Sequence, residues 1–249
     1  MLQRHWPTGI ARRRLARLTA PGGLVLDVGC GDFRKAFRYL YGTKRSLRFV
    51  GLERFPDATI YGENDIPADI EATGAFRRLA CDIEHEPFPL EDDSVDGIFC
   101  SHVIEHIENK PRLAREIARV LRCGGYAYIE TPSPRSLWMS PRSRLYAISY
   151  PAGYPLNFAD DESHVGAPLS LPELEAFARA ANFETVRKGH NRELGIAGFP
   201  VYALMFAAGL LPVFPSRLRG LLLGAGWWNL IGWPEYVLLR KRDTPHSLG

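Results

Sequence analysis

The sequence predicts an α/β fold: a doubly wound, mostly parallel seven-stranded sheet with an apolar helical insertion before the last strand. Three observations carry that reading. Short apolar runs alternate with helical patterns along the chain. The first run ends in a Gly-x-Gly turn, Gly29-Cys30-Gly31, that leads into a helix. Acids then recur at the ends of the following runs, at Glu53 and Asp82.

Leu24–Val28 reads as a buried strand, followed by a helix from Phe33 to Tyr41. Arg48–Glu53 is the second strand, Phe76–Asp82 the third and Val95–Cys100 the fourth. Pro111–Arg122 is a helix with Leu113, Ile117, Val120 and Leu121 on one side, and Gly124-Gly125 marks its stop. Tyr126–Thr131 is the fifth strand. Ser170, with Glu173 three residues on, forms a capping box that opens a helix over Leu171–Ala181. Phe183–Gly189 and Glu235–Arg242 complete the sheet.

Composition bounds the class. The chain has 249 residues, 46% hydrophobic and 24% charged, which suits one large globular domain. Net charge is +3, too mild to imply nucleic-acid binding. Thirteen acids between Glu53 and Asp96 also oppose a phosphate backbone. Cys30, Cys81, Cys100 and Cys123 lie far apart with no C-x-x-C pair, the usage of reduced thiols in the cytoplasm. The arginine-rich start lacks the apolar core of a secretory signal.

In a doubly wound sheet, ligands sit at the carboxyl ends of the strands. The first strand ends in Asp27-Val-Gly29-Cys30-Gly31, where glycines let the backbone pass close to a ligand. A dinucleotide fingerprint fails here, because its third glycine would fall at Arg34, and no phosphate-loop Gly-Lys pair follows. Glu53 can accept the ribose hydroxyls of an adenosine. Asp82 and Ile83 can hold and cover an adenine, and the fourth strand runs out at Ser101-His102.

Taken together, Val25-Leu-Asp-Val-Gly-Cys-Gly31, Glu53, Cys81-Asp82, the run from Asp93 to Ile107 and Leu121-Arg-Cys-Gly-Gly-Tyr126 resemble a class I S-adenosylmethionine-dependent methyltransferase of the type 11, ubiquinone-pathway-like branch. The resemblance covers Gly22 to Thr131 well and extends loosely to Phe183. It implies a Rossmann-like methyltransferase fold over residues 1–249 as a single domain, with S-adenosylmethionine as cofactor. By that resemblance Asp27, Gly29, Cys30 and Gly31 pass under the methionine part, and Glu53 takes the ribose hydroxyls. Asp82 accepts from the adenine amino group, Ile83 packs on the ring, and Cys100 or Ser101 offers backbone contacts. The family often has glycine where Phe33 stands, so Phe33 is expected to narrow the methionine pocket.

A hydroxyl acceptor benefits from a general base, and the candidates are His106, His102 and His164. His102, Glu105 and His106 are spaced i, i+3 and i+4, which on a helix is one face. Related O-methyltransferases carry Glu-x-x-Glu-His there with a divalent cation; His102 stands in place of the first Glu, so no metal is assigned. Structural, substrate-positioning, general-base and metal-ligand roles stay open for this triplet. His164 has an acceptor-facing reading and a plain loop reading.

Residues 132–169 read as an acceptor lid, with Trp138, Tyr146, Tyr150 and Tyr154 and with Arg135, Arg142 and Arg144 placed to receive an anionic head group. Residues 191–233 form the apolar insertion, whose pieces are too short to span a bilayer. For its 198–233 portion, clustered tryptophan and nearby arginine point to a peripheral membrane contact or lipid-like acceptor; a homodimer interface and a buried hairpin are the alternatives. Residues 1–20 form a basic helix that lies on anionic lipid or covers the cofactor. The expected protein is therefore cytoplasmic, at the inner face of the membrane, with a small-molecule or lipid-like acceptor and no nucleic acid. The alternatives are a methyltransferase for a soluble glycan end and a non-catalytic cofactor-binding partner.

Overall fold

The computed structural model describes residues 10–54, 58–59, 62–63, 65–149, 156–191, 198–231 and 234–243. Its main sheet has seven strands: β1 (Leu24–Val28), β2 (Arg48–Glu53), β3 (Phe76–Ala80), β4 (Val95–Ser101), β5 (Leu121–Thr131), β6 (Phe183–His190) and β7 (Glu235–Lys241). Their spatial order is β3-β2-β1-β4-β5-β7-β6. The pairs joining β3, β2, β1, β4 and β5 are all parallel, and β7 runs antiparallel to both β5 and β6. The order reverses between β1 and β4, the place where such a sheet opens a crevice for a ligand.

Strand periodicity sorts side chains to two apolar layers. Leu26, Ile98, Ile129 and Leu239 face α2 (Lys110–Val120) and α3 (Leu171–Ala180), where Leu113, Ile117, Leu174 and Ala178 meet them. Val25, Phe99, Tyr128 and Leu238 face the opposite layer, with Leu15 and Ala16 of α1 (Ile10–Leu18) and with Phe33 and Leu40. Helices therefore cover both faces, as a nearly continuous apolar β1 requires.

Several local expectations are corrected. Gly124-Gly125 does not stop α2, which ends at Val120 and passes directly into β5. The pairing jumps from Val95–Leu121 to Gly97–Tyr126, so the double glycine forms a bulge, with Gly124 at φ 72°. The helix expected from Phe33 starts at Arg34 and becomes a π-turn over Phe37–Tyr41. Phe33 itself takes φ 62°, and its ring is fully buried, 5.2 Å from the Phe76 ring. β3 stops at Ala80, two residues early, so Asp82 lies in the loop beyond it.

The capping box at Ser170 forms: its backbone N–H and hydroxyl both donate to the Glu173 carboxylate, at 2.7 and 2.6 Å. Between β6 and β7 lie two apolar helices, α4 (Phe199–Leu210) and α5 (Ser216–Leu230). Among the described residues no helix is long and apolar enough to cross a membrane. Residues 1–9, Tyr150, Tyr154 and Trp233, which the sequence reading used, lie outside the described residues.

Candidate functional site

The strand ends converge as the topology demands. β1 delivers Asp27 and then the turn, in which Gly29 and Gly31 have φ 64° and 51°, conformations open to glycine at no steric penalty. A Cβ on Gly29 would come within 2.5 Å of the Val103 side chain, so backbone alone fits there. β2 ends in Glu53, whose Oε2 accepts from the Gly31 N–H at 2.9 Å and whose Oε1 accepts from the Arg54 N–H at 3.1 Å. The turn after β1 and the acid after β2 are thus one hydrogen-bonded unit, with carboxylate lone pairs left over for a ligand.

Asp27 is 4% exposed, and its carboxylate has no hydrogen-bond partner among the described residues. Burial pushes its pKa up to about 8, against the pull of Lys35 and with added push from Glu53 and Asp32. A buried carboxylate without a donor fits a cationic or N–H-bearing ligand. Asp82 behaves oppositely. Desolvation pushes its carboxyl up, but bonds from the His85 ring and the Glu84 N–H and the charge of Arg54 outweigh it and hold it below the usual range. Ile83 lies half-buried beside it against the core. These groups fit an adenosine with a charged tail.

Ser101 at the end of β4 is buried, and its hydroxyl donates to Glu130 Oε1 at 3.1 Å. Glu130, near the end of β5, was not singled out from sequence and is the most heavily partnered acid of the site. It is fully buried and receives Arg12 of α1, the Tyr128 hydroxyl at 2.5 Å and Asn191 Nδ2 at 2.6 Å. Desolvation opposes its charge, yet Arg12 and His102 hold its carboxyl well below the ordinary value. Arg12 therefore points into the protein, not onto a lipid surface. An acid directly after the apolar run Tyr126–Ile129 was the available signal for Glu130, though not for its partner.

The three histidines separate into two groups. His102 has φ 60° and lies outside the 3-10 turn Ile104–His106, so the single helical face expected for His102, Glu105 and His106 does not exist. Its Nδ1 lies 3.1 Å from Glu105 Oε1 and its Nε2 3.3 Å from Glu130 Oε1. His106 turns instead to the segment after β5. Its Nδ1 donates to Ser163, at 3.2 Å to the carbonyl and 3.0 Å to the hydroxyl, while that hydroxyl donates to Asp161 Oδ1 at 2.5 Å. His164 Nδ1 donates to the Phe158 carbonyl at 2.7 Å, and the two imidazoles lie 4.8 Å apart. Burial pulls the His164 pKa down, against the Phe158 bond and Asp161.

Since a carbonyl only accepts, both Nδ1 atoms carry their protons, and both Nε2 atoms bear the lone pair in the neutral rings. That arrangement can take a proton or bind a cation. Glu105, His106 and His164 each offer a ligand atom within 4.8 Å of the other two, a set that does not include His102. Of the lid arginines, Arg142 pairs with Glu162, and Arg135 lies 5.9 Å over the Trp138 ring.

Comparison with known proteins agrees with this geometry. Residues 26–129 match the family model described as a methyltransferase domain. An uncharacterized methyltransferase of Mycobacterium sp. (strain KMS) is 35% identical over 126 residues, 49% of this chain and 43% of that protein. One from Mycolicibacterium vanbaalenii is 30% identical over 206 residues, 78% of this chain and 65% of the relative. The chain thus spans less than half the length of the first of these relatives. Among solved structures, geranyl diphosphate C-methyltransferase from Streptomyces coelicolor, in complex with Mg2+, geranyl diphosphate and S-adenosyl-L-homocysteine, superposes with a TM-score of 0.56 at 13% identity. That match covers 93% of this chain and 78% of the other. Residues 26–129 therefore carry a class I S-adenosylmethionine-dependent methyltransferase domain, and the strand order and the glycine turn with its strand-end acids agree with that match.

Proposed function

We propose that the chain transfers a methyl group from S-adenosylmethionine to a small or lipid-linked acceptor, at oxygen or carbon, by in-line displacement. The observation that carries this is the bond from the Gly31 N–H to Glu53 Oε2 beside the buried Asp27 carboxylate, which has no hydrogen-bond partner among the described residues. It supports this reading by bringing an acid able to take ribose hydroxyls, a backbone cradle and that buried acid to one edge. When bound, S-adenosylmethionine supplies an electrophilic methyl carbon; the chain holds the partners in line and excludes water.

Asp27, Gly29, Cys30 and Gly31 hold the methionine portion, with the Asp27 carboxylate facing its ammonium. Glu53 takes the ribose hydroxyls, Asp82 the adenine amino group, Ile83 the ring face, and Ser101 gives backbone contacts. His106 holds the acceptor's proton at Nε2, with Ser163 and Asp161 fixing the ring from its far side. His164 shapes the same pocket. His102, with a carboxylate at each ring nitrogen, positions the strand end. Residues 132–169 close over the acceptor. The whole forms one domain in the cytoplasm, at the inner face of a membrane, a placement that the exposed apolar surface of α4 and α5 supports.

Calorimetric titration with S-adenosylmethionine tests this. Saturable binding is the expected result. Absence of binding by folded protein would overturn it and favour the non-catalytic partner.

A further inference from the structure

The two apolar helices form an antiparallel hairpin closed by glycine. A Cβ on Gly209 would come within 2.6 Å of the Leu223 backbone, and one on Gly226 within 2.6 Å of the Phe206 backbone. On its inner side α5 buries Leu223 and Trp227 against the lid segment, and the Trp227 indole donates to the Leu156 carbonyl at 2.7 Å. The outer side is left apolar. Val213, in the turn between the helices, is 77% exposed, and Leu204 is 71% exposed. Phe199, Val201, Leu211 and Leu218 are each about half exposed.

Charge decides what this surface fits. From Gly195 to Pro234 the chain has no acid and no lysine; its charges are Arg217 and Arg219. Arg217 is exposed just past the turn, and Arg219 Nε donates back to the Gly209 carbonyl at 3.4 Å, so both arginines sit at the turn end of the hairpin. A two-fold dimer would set the same patch against itself, bringing arginines together with no acid to pair them. An apolar tip ringed by arginine suits a bilayer with anionic head groups, where the guanidiniums stay at head-group level.

We propose that the α4–α5 hairpin docks the protein on an anionic lipid bilayer, with Leu211 and Val213 dipping below the head groups. The hairpin is too short to cross. It is also joined to the candidate acceptor site: the segment held by Trp227 at Leu156 continues to Phe158, whose carbonyl fixes His164 beside His106. Docking would place that pocket next to the lipid from which an apolar acceptor arrives. This last step rests on the methyltransferase reading; the docking itself does not.

The test is co-sedimentation of the full chain with vesicles of phosphatidylcholine containing a quarter phosphatidylglycerol, and with phosphatidylcholine alone. Wild type should bind the anionic vesicles, more weakly at high salt. The double variant Leu211→Asp/Val213→Asp should lose at least about tenfold in binding. Its cofactor affinity and circular dichroism should be unchanged, because both side chains are exposed. No binding by wild type, or equal binding by the double variant, overturns the proposal. So does a wild-type dimer that the double variant dissolves, which would assign the surface to a second copy. Cofactor titration on the same samples reads the methyltransferase proposal separately.

Discussion

His102 lies between Glu105 and Glu130, its two ring nitrogens 3.1 and 3.3 Å from one oxygen of each carboxylate. Both acids are buried, and desolvation of each is outweighed by His102 and other partners, which hold both carboxyls below their ordinary values. The ring is thus tied to the framework at both ends. His102→Ala should destabilise the fold by about 2–3 kcal/mol, since it removes the ring that bridges two buried acids. His106→Ala should stay within about 1 kcal/mol of wild type yet lower turnover by roughly 10²–10⁴. Urea midpoints and turnover on both variants separate the roles. Wild-type stability in His102→Ala would mean that the bridge contributes nothing.

The Arg12–Glu130 pair fastens α1 to the end of β5. Removing one member leaves a buried charge unpaired, so Arg12→Met should cost about 3–5 kcal/mol, more than Arg12→Met/Glu130→Gln together. The pH dependence follows from the depressed carboxyl. Its stabilisation is complete above the unfolded-state value, roughly 4.3 for a glutamate, and is lost as pH falls through it toward the lower folded-state value. Urea midpoints measured down the acid range should fall there in wild type, and this part of the fall should be missing in Glu130→Gln.

Asp27 titrates in the opposite sense. With its pKa raised to about 8 by burial, the free protein holds it mostly protonated at neutral pH. An ammonium group docked against it would restore the carboxylate and expel the proton. Cofactor binding at neutral pH should therefore release a substantial fraction of one proton, read from calorimetry in buffers of different ionisation enthalpy. Asp27→Asn should abolish the release. A buffer-independent heat in wild type would show that no cation meets this acid.

Glu53→Ala removes the proposed ribose acceptor and also frees the Gly31 N–H. Cofactor affinity should fall by about 1–3 kcal/mol. Undiminished affinity in a folded variant would place the ribose elsewhere.

The polar ends of β1, β2 and β4 were legible because a parallel sheet converts a one-dimensional order, apolar run then polar end, into a three-dimensional edge. Asp27, Glu53 and Ser101 each needed their own strand to be recognised and nothing more. Glu130 and Arg12 were not legible, because their pairing joins residues 118 positions apart and no local pattern announces it. The histidine triplet misled for a related reason. Its spacing suits a helix, but His102 takes a left-handed backbone and leaves the turn, while His106 finds Ser163 across 57 positions. The double glycine after α2 has both a helix-stop and a bulge reading, and only pairing with β4 chooses between them.

Gly51, in the middle of β2, carries the strongest packing constraint on the turn. A Cβ there would lie 2.4 Å from the Phe33 ring and 2.5 Å from Cys30 Sγ. Phe33 is fully buried, and it has Phe76 at 5.2 Å on its other side, so the ring has little room to retreat. Gly51→Ala should therefore destabilise the fold by about 1–3 kcal/mol through overpacking. Because Cys30 belongs to the turn after β1, the same substitution should weaken cofactor binding without touching any polar contact. Phe33→Leu alone opens a cavity and is itself destabilising, yet in the Gly51→Ala background it makes room for the new methyl group. The two substitutions should thus be less harmful together than their separate effects predict, by roughly 0.5–3 kcal/mol. Additive urea midpoints would show that the ring yields to the methyl group on its own, and that Phe33 is not what holds the turn in place.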